Sequence, residues 1–108
     1  MSETLRRVQM LVMSGEYRVS RHGFRELAAD DIVIEDVLAG IDAAVVAEDY
    51  PDSRKEPSVL VLQHDRHGRP VHVMWGVPKD AGAPAVLVTA YRPAPALWSE
   101  DFLKRKKR

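Results

Sequence analysis

Residue types that move protons or hold phosphate oxygens crowd into one short stretch, Ser20-Arg21-His22-Gly23-Phe24-Arg25-Glu26. Histidine changes charge near neutral pH, and the arginine fork matches phosphate or carboxylate oxygens. On a helix His22, Arg25 and Glu26 share a face, and Arg21 lies one turn from Arg25. The partial positive charge of a helix start adds to such a phosphate site. A second histidine, His72, sits in a β-rich run, and Tyr91 closes another. With Arg21 and Arg25, the two histidines are the right types for metal-independent RNA cleavage. Attack by a ribose 2′-hydroxyl needs a base, an acid for the leaving 5′-oxygen and cations for the phosphate. A positioned acid or base contributes about 10²–10⁴-fold. The same residues also fit a purely structural role: His22 bridging helices, Arg25 and Glu26 in ion pairs, His72 packed in a strand, Tyr91 and Trp98 in the core. His64, His67 and His72 span a tight turn and lack a fourth ligand, so neither metal nor cofactor is expected.

The elements that must position these groups follow from periodicity. Leu5, Val8, Leu11 and Val12 recur at helical spacing behind Ser2, predicting a helix over 3–13. Ser20 can cap a second helix with Phe24, Leu27 and Ala28 on its apolar side, although Gly23 costs that helix about 1 kcal/mol relative to alanine. Ile34, Val37, Leu38 and Ile41 place a third helix near 33–40. Beyond it the period drops to two, and 43–49, 58–64, 71–77 and 85–91 read as strands. Short turn-like separators favour an antiparallel meander. Pro93 and Pro95 interrupt the chain before Leu97, Trp98 and Phe102, which predict a C-terminal helix running into the basic tail. The expected fold is therefore α+β, with N-terminal helices on one face of a four-stranded antiparallel sheet and a C-terminal helix. Alternation puts His72 and Met74 on the strand side facing away from Val71, Val73 and Trp75, which makes His72 a candidate for the open face.

A chain of 108 residues is read as one domain, 1–108. It has no cysteine, which excludes disulfides, thiolate nucleophiles and cysteine-ligated metal centres. No leader pattern and no long apolar run is present, so a cytoplasmic protein away from the membrane is expected. The net charge of zero conceals segregation. Between Glu26 and Asp52 there are acids but no lysine or arginine, whereas 104–108 are all basic. Such asymmetry permits a local footprint for a polyanion on a neutral protein.

Several stretches together carry a resemblance: Ser20-Arg21-His22 with Arg25, Glu48-Asp49-Tyr50-Pro51, Arg69-Pro70-Val71-His72-Val73, Thr89-Ala90-Tyr91-Arg92-Pro93, and Leu97-Trp98 followed by Phe102 and Arg105. In order and spacing the chain resembles the domain of unknown function 4258 family, whose fold is similar to RelE/ParE-like and BrnT-like toxins of toxin–antitoxin modules. It departs from that pattern at Val33, where a threonine cap is usual, and at Gly23, where a larger residue is commoner. The resemblance implies a toxin-like endoribonuclease acting on RNA or the ribosome, and a small zinc-finger antitoxin-like partner. His22, Arg25, His72 and Tyr91 are then the catalytic candidates, with Arg21, Arg69, Arg92, Trp98, Lys104 and Arg105 as substrate-binding candidates. The other class is a non-catalytic RNA- or protein-binding module of the same fold, in which the basic tail engages RNA or an acidic partner.

Overall fold

The computed structural model describes residues 2–54, 56–79 and 82–107. Its elements are α1 (Glu3–Met13), β1 (Tyr17–Val19), α2 (Arg21–Ala29), α3 (Ile34–Gly40), a single 3-10 turn (Ile41–Ala43), β2 (Val45–Tyr50), β3 (Ser58–His64), β4 (Pro70–Gly76) and β5 (Ala85–Tyr91). The sheet has five strands in the order β1-β5-β4-β3-β2. The β1–β5 pair is parallel and the other neighbours are antiparallel. Two parts of the expected fold are thereby corrected. The sheet is five-stranded and mixed instead of four-stranded and antiparallel, because Tyr17-Arg18-Val19 adds a three-residue edge strand beside β5. The C-terminal helix is absent from the described residues. Residues 97–99 instead run back against 104–106 in a small hairpin, closed by Ser99 N–H to the Lys104 carbonyl and Lys106 N–H to the Leu97 carbonyl. The side chain of Ser99 donates to Asp101, and Asp101 accepts from the Leu103 N–H. Such local side-chain bonds offer the backbone an alternative to helix.

The helices cover one face. Leu5, Val8 and Val12 of α1, Leu27 of α2 and Val37 of α3 pack with Val59, Val61, Val71, Val73, Trp75, Leu87 and Ala90 of the sheet. Ser2 and Ser20 cap α1 and α2 as expected, whereas α3 starts at Val33 with no side-chain cap. Gln63 ties α3 to the strands: its amide donates to the Val37 carbonyl and accepts from the Trp75 indole, so both ends of a buried polar group are satisfied.

Gly23 has a structural reason. A Cβ there would lie 2.7 Å from the Leu87 carbonyl oxygen and 2.9 Å from Leu87 Cδ2. Its missing side chain is what lets α2 settle onto β5, and the obstacle is backbone that cannot swing aside. Gly23→Ala gains about 1 kcal/mol of helix propensity, but overpacking costs about 1–3 kcal/mol. Urea denaturation is expected to show a net loss of about 1 kcal/mol; a stabilised variant would contradict the close approach.

Candidate functional site

On the face turned away from the helices, the strand registers define three cross-sheet rows. The first is Val45–Leu62–His72–Tyr91, the second Glu48–Leu60–Met74–Thr89, and the third Tyr50–Ser58–Gly76–Val86–Arg18. Glu48 joins this face because a bulge at Ala47 resets the register of β2.

The C-terminal hairpin is seated on the first row. The Trp98 ring meets His72 edge to face at 4.3 Å between centroids, and Tyr91 meets it at 5.3 Å. His72 is fully buried. Its Nε2 lies 2.8 Å from the Phe102 carbonyl and its Nδ1 lies 3.2 Å from the Tyr91 hydroxyl. A carbonyl only accepts, so Nε2 carries the proton and Nδ1 accepts from Tyr91. Phe102 has a left-handed backbone, φ 61°, at a cost of about 1–2 kcal/mol for a residue with a Cβ. That conformation occurs at the residue whose carbonyl meets the ring.

Burial pushes His72 below the ordinary imidazole value; the Phe102 carbonyl and the Glu48 charge oppose the shift, and Arg105 reinforces it. The ring is therefore neutral at neutral pH, with both nitrogens occupied. Arg105 fastens the hairpin to the second row. Its Nε lies 2.7 Å from Glu48 Oε2 and its Nη2 3.1 Å from Oε1, while its guanidinium stands 4.8 Å from the Trp98 ring centre. Tyr50 donates to Glu48 Oε1 at 2.7 Å. The Arg105 hydrogen bond holds Glu48 below its usual carboxylate value, and Glu48 raises the Tyr50 hydroxyl in turn. The resulting cluster is an ionised carboxylate between a guanidinium and a protonated phenol, at the exposed edge of the sheet.

The structure thus brings together His72, Tyr91, Trp98 and Arg105 of the residues singled out from sequence, with exposed Lys104 beside them. It does not bring His22, Arg21 or Arg25 to them. These lie on α2, which packs on the helix-covered side, and α2 begins beside Leu87 and Val88, short of Tyr91. His22 is exposed and faces Glu26 at 3.5 Å. Arg69 and Arg92 serve a different centre. Arg92 pairs with buried Asp65 at 2.9 Å and donates its N–H to Asp30, while Arg69 approaches Asp65 at 3.5 Å. His64 and His67 are exposed, apart from buried His72, and no cluster of three potential metal ligands occurs among the described residues. Glu48 and Tyr50 are the members that chemistry-first reading passed over. Their signal was the Glu48-Asp49-Tyr50-Pro51 stretch, where a carboxylate and a phenol two residues apart share one strand face.

Two pH dependences follow. Burial alone would raise Asp65, but the Arg69 N–H, the Arg92 guanidinium and the His67 N–H hold it down to about 2. The fold favours the carboxylate, so its contribution is complete above an unfolded value of about 3.9 and fades as pH falls through the folded one. Asp65→Asn should cost about 2 kcal/mol at neutral pH in chemical denaturation, with the penalty shrinking between about pH 4 and pH 2. An unchanged pH profile would contradict the buried pairing. For His72 the fold favours the neutral ring, so its contribution is complete above 6.5 and is lost as pH drops below that value. Its ring resonances should titrate below 6.5, with the Trp98 resonances moving in step; a midpoint at or above 6.5 would contradict the sealed environment.

No helix of the described residues is long and apolar enough to cross a membrane. No curated protein and no solved structure matches the chain. A family model does match, over residues 19–92, from the end of β1 to just past β5. The matched span contains Glu48, Tyr50, His72 and Tyr91 and stops short of Trp98 and Arg105. Covering most of the chain, from the capped start of α2 through all the long strands, it makes this protein a member of the family described as domain of unknown function (DUF4258).

Proposed function

We propose that this protein is a toxin-like module that binds single-stranded RNA on the sheet face opposite its helices, without His22 or His72 acting as acid or base. The supporting observation is the seating of the basic hairpin on that face. Arg105 lies over Trp98 and against Glu48, and Lys104, Lys106 and Lys107 stand exposed around it with no ion pair among the described residues. A phosphate presents the same paired oxygens as the Glu48 carboxylate and can replace it on the arginine fork. Exposed Tyr50 adds a ring on which a base stacks. The RNA is free or ribosome-bound in the cytoplasm. In a toxin–antitoxin setting, a zinc-finger antitoxin-like partner would cover the same cations with acidic groups.

Histidine-driven cleavage fits this geometry poorly. Displacement at phosphorus proceeds in line, with base and acid on opposite sides of the phosphate. His72 has no free nitrogen, and His22 is on the other side of the sheet. One observation favours a second reading as a metal-independent endoribonuclease: Glu48 is an ionised base held against a cation at the exposed edge. In that reading Glu48 takes the 2′-hydroxyl proton as the 2′-oxygen bonds to phosphorus, Arg105 holds the phosphate, and water protonates the 5′-oxygen as its bond to phosphorus breaks.

Arg105→Ala should weaken binding of a short single-stranded RNA about tenfold and lower the salt slope by about 0.7–1. Unchanged affinity and slope would remove Arg105 from the interface. Incubated with excess chelator, the RNA should stay intact. Cleavage that persists in chelator, disappears in Glu48→Gln and survives in His22→Ala would replace the binding reading with the catalytic one.

A further inference from the structure

The hairpin covers only the first row of the free face and part of the second. Beyond it lies a trough of about 290 Å³ lined by Arg18, Glu56, Ser58, Met74, Gly76, Val86 and Val88. We infer that this trough is a nucleobase pocket, holding one base of the RNA strand whose phosphate sits at Arg105; the inference rests on the RNA-binding reading above.

Three features select a base as the occupant. Met74, Val86 and Val88 make the lining largely apolar. Gly76 lies between Ser58 and Val86, where an added Cβ would meet only the Val88 side chain at 3.6 Å and the Pro57 carbonyl at 3.7 Å. Backbone conformation and packing therefore do not require glycine here, and what the missing side chain provides is room. Met74 supplies a thioether beside that space, which is favourable against the edge of an aromatic ring. The rim is polar in both senses. Arg18 and Glu56 make no ion pair among the described residues; Arg18 on β1 and Ser58 on β3 end the row Ser58–Gly76–Val86–Arg18, and Glu56 lies just before β3. A base edge carries donors and acceptors in one plane, which a carboxylate, a guanidinium and a hydroxyl can read together. The trough also adjoins the phosphate site, since Met74 and Glu48 belong to the same cross-sheet row with only Leu60 between them, about 10 Å apart at two strand spacings. A pocket of this size is smaller than the roughly 300–1,000 Å³ of drug-sized sites and suits a single heterocycle.

The test compares a short single-stranded RNA with an abasic ribose-phosphate oligomer of the same length, by fluorescence anisotropy on the full chain. The parent should bind the RNA about tenfold more tightly than the abasic oligomer. Gly76→Leu, which fills the trough, should bring RNA affinity down to the abasic level and leave abasic binding unchanged. Arg18→Ala and Glu56→Gln, both at exposed positions, should narrow the same difference and serve if the leucine variant does not melt like the parent. Equal binding of the two oligomers by the parent, or undiminished RNA preference in a natively melting Gly76→Leu, would overturn the pocket while leaving the phosphate site standing. Failure of both oligomers to bind would overturn the RNA reading itself and the pocket with it.

Discussion

An imidazole with two polar nitrogens sits at the middle of the free sheet face, in β4, where no water reaches it. Leaving either nitrogen unpaired would cost about 1–3 kcal/mol, so the surroundings must supply one acceptor and one donor. Tyr91, the register partner of His72 on β5, supplies the donor. The acceptor is the Phe102 carbonyl, thirty residues along the chain. That requirement brings the C-terminal hairpin down on the sheet. Trp98 closes over the ring, and Arg105 reaches Glu48 from the far side of the hairpin. The placement of the exposed cations therefore depends on a neutral histidine that is itself out of reach of any ligand.

The charge segregation of the chain acquires a meaning from this arrangement. The acidic stretch and the basic tail touch at Glu48 and Arg105, fifty-seven residues apart, at the open edge of the sheet. Lys104 and Lys106 of the hairpin are exposed and make no ion pair among the described residues. The Glu48–Arg105 pair is bidentate, with Arg105 largely exposed and Glu48 partly buried. The fold thus keeps two kinds of polar centre apart. The carboxylate of Asp65, its side chain largely covered, is held by partly buried Arg92 at the β3–β4 turn, whereas the Arg105 that holds Glu48 is largely exposed.

Much of the fold was legible in the sequence. Amphipathic spacing located α1, serine caps marked α1 and α2, and β3 and β5 read from strand-length, β-branched runs between turn-like separators. Tyr17-Arg18-Val19 was invisible because three residues carry no period, and its pairing with β5 is a tertiary fact. The C-terminal hairpin was misread because Leu97, Trp98 and Phe102 also satisfy a helical stripe; what decides the outcome is the buried nitrogen on β4. In the site, His72 on the free face was legible from alternation, whereas Tyr91 was not, because a register shift in the β4–β5 pair puts it on the face opposite buried Leu87. His22 and Arg25 were drawn to them by residue type, which says nothing about which side of the sheet a helix occupies. Glu48 escaped because its face depends on the bulge at Ala47.

The central claim is that ligands meet the sheet face and its hairpin, with the helix face uninvolved. Titrating isotopically labelled protein with a short single-stranded RNA and following backbone amide and arginine side-chain resonances tests it directly. Shifts confined to Glu48, Tyr50, Gly76 and the residues around Arg105 are predicted. Shifts centred on Arg21, His22 and Arg25, with the sheet face silent, would contradict it.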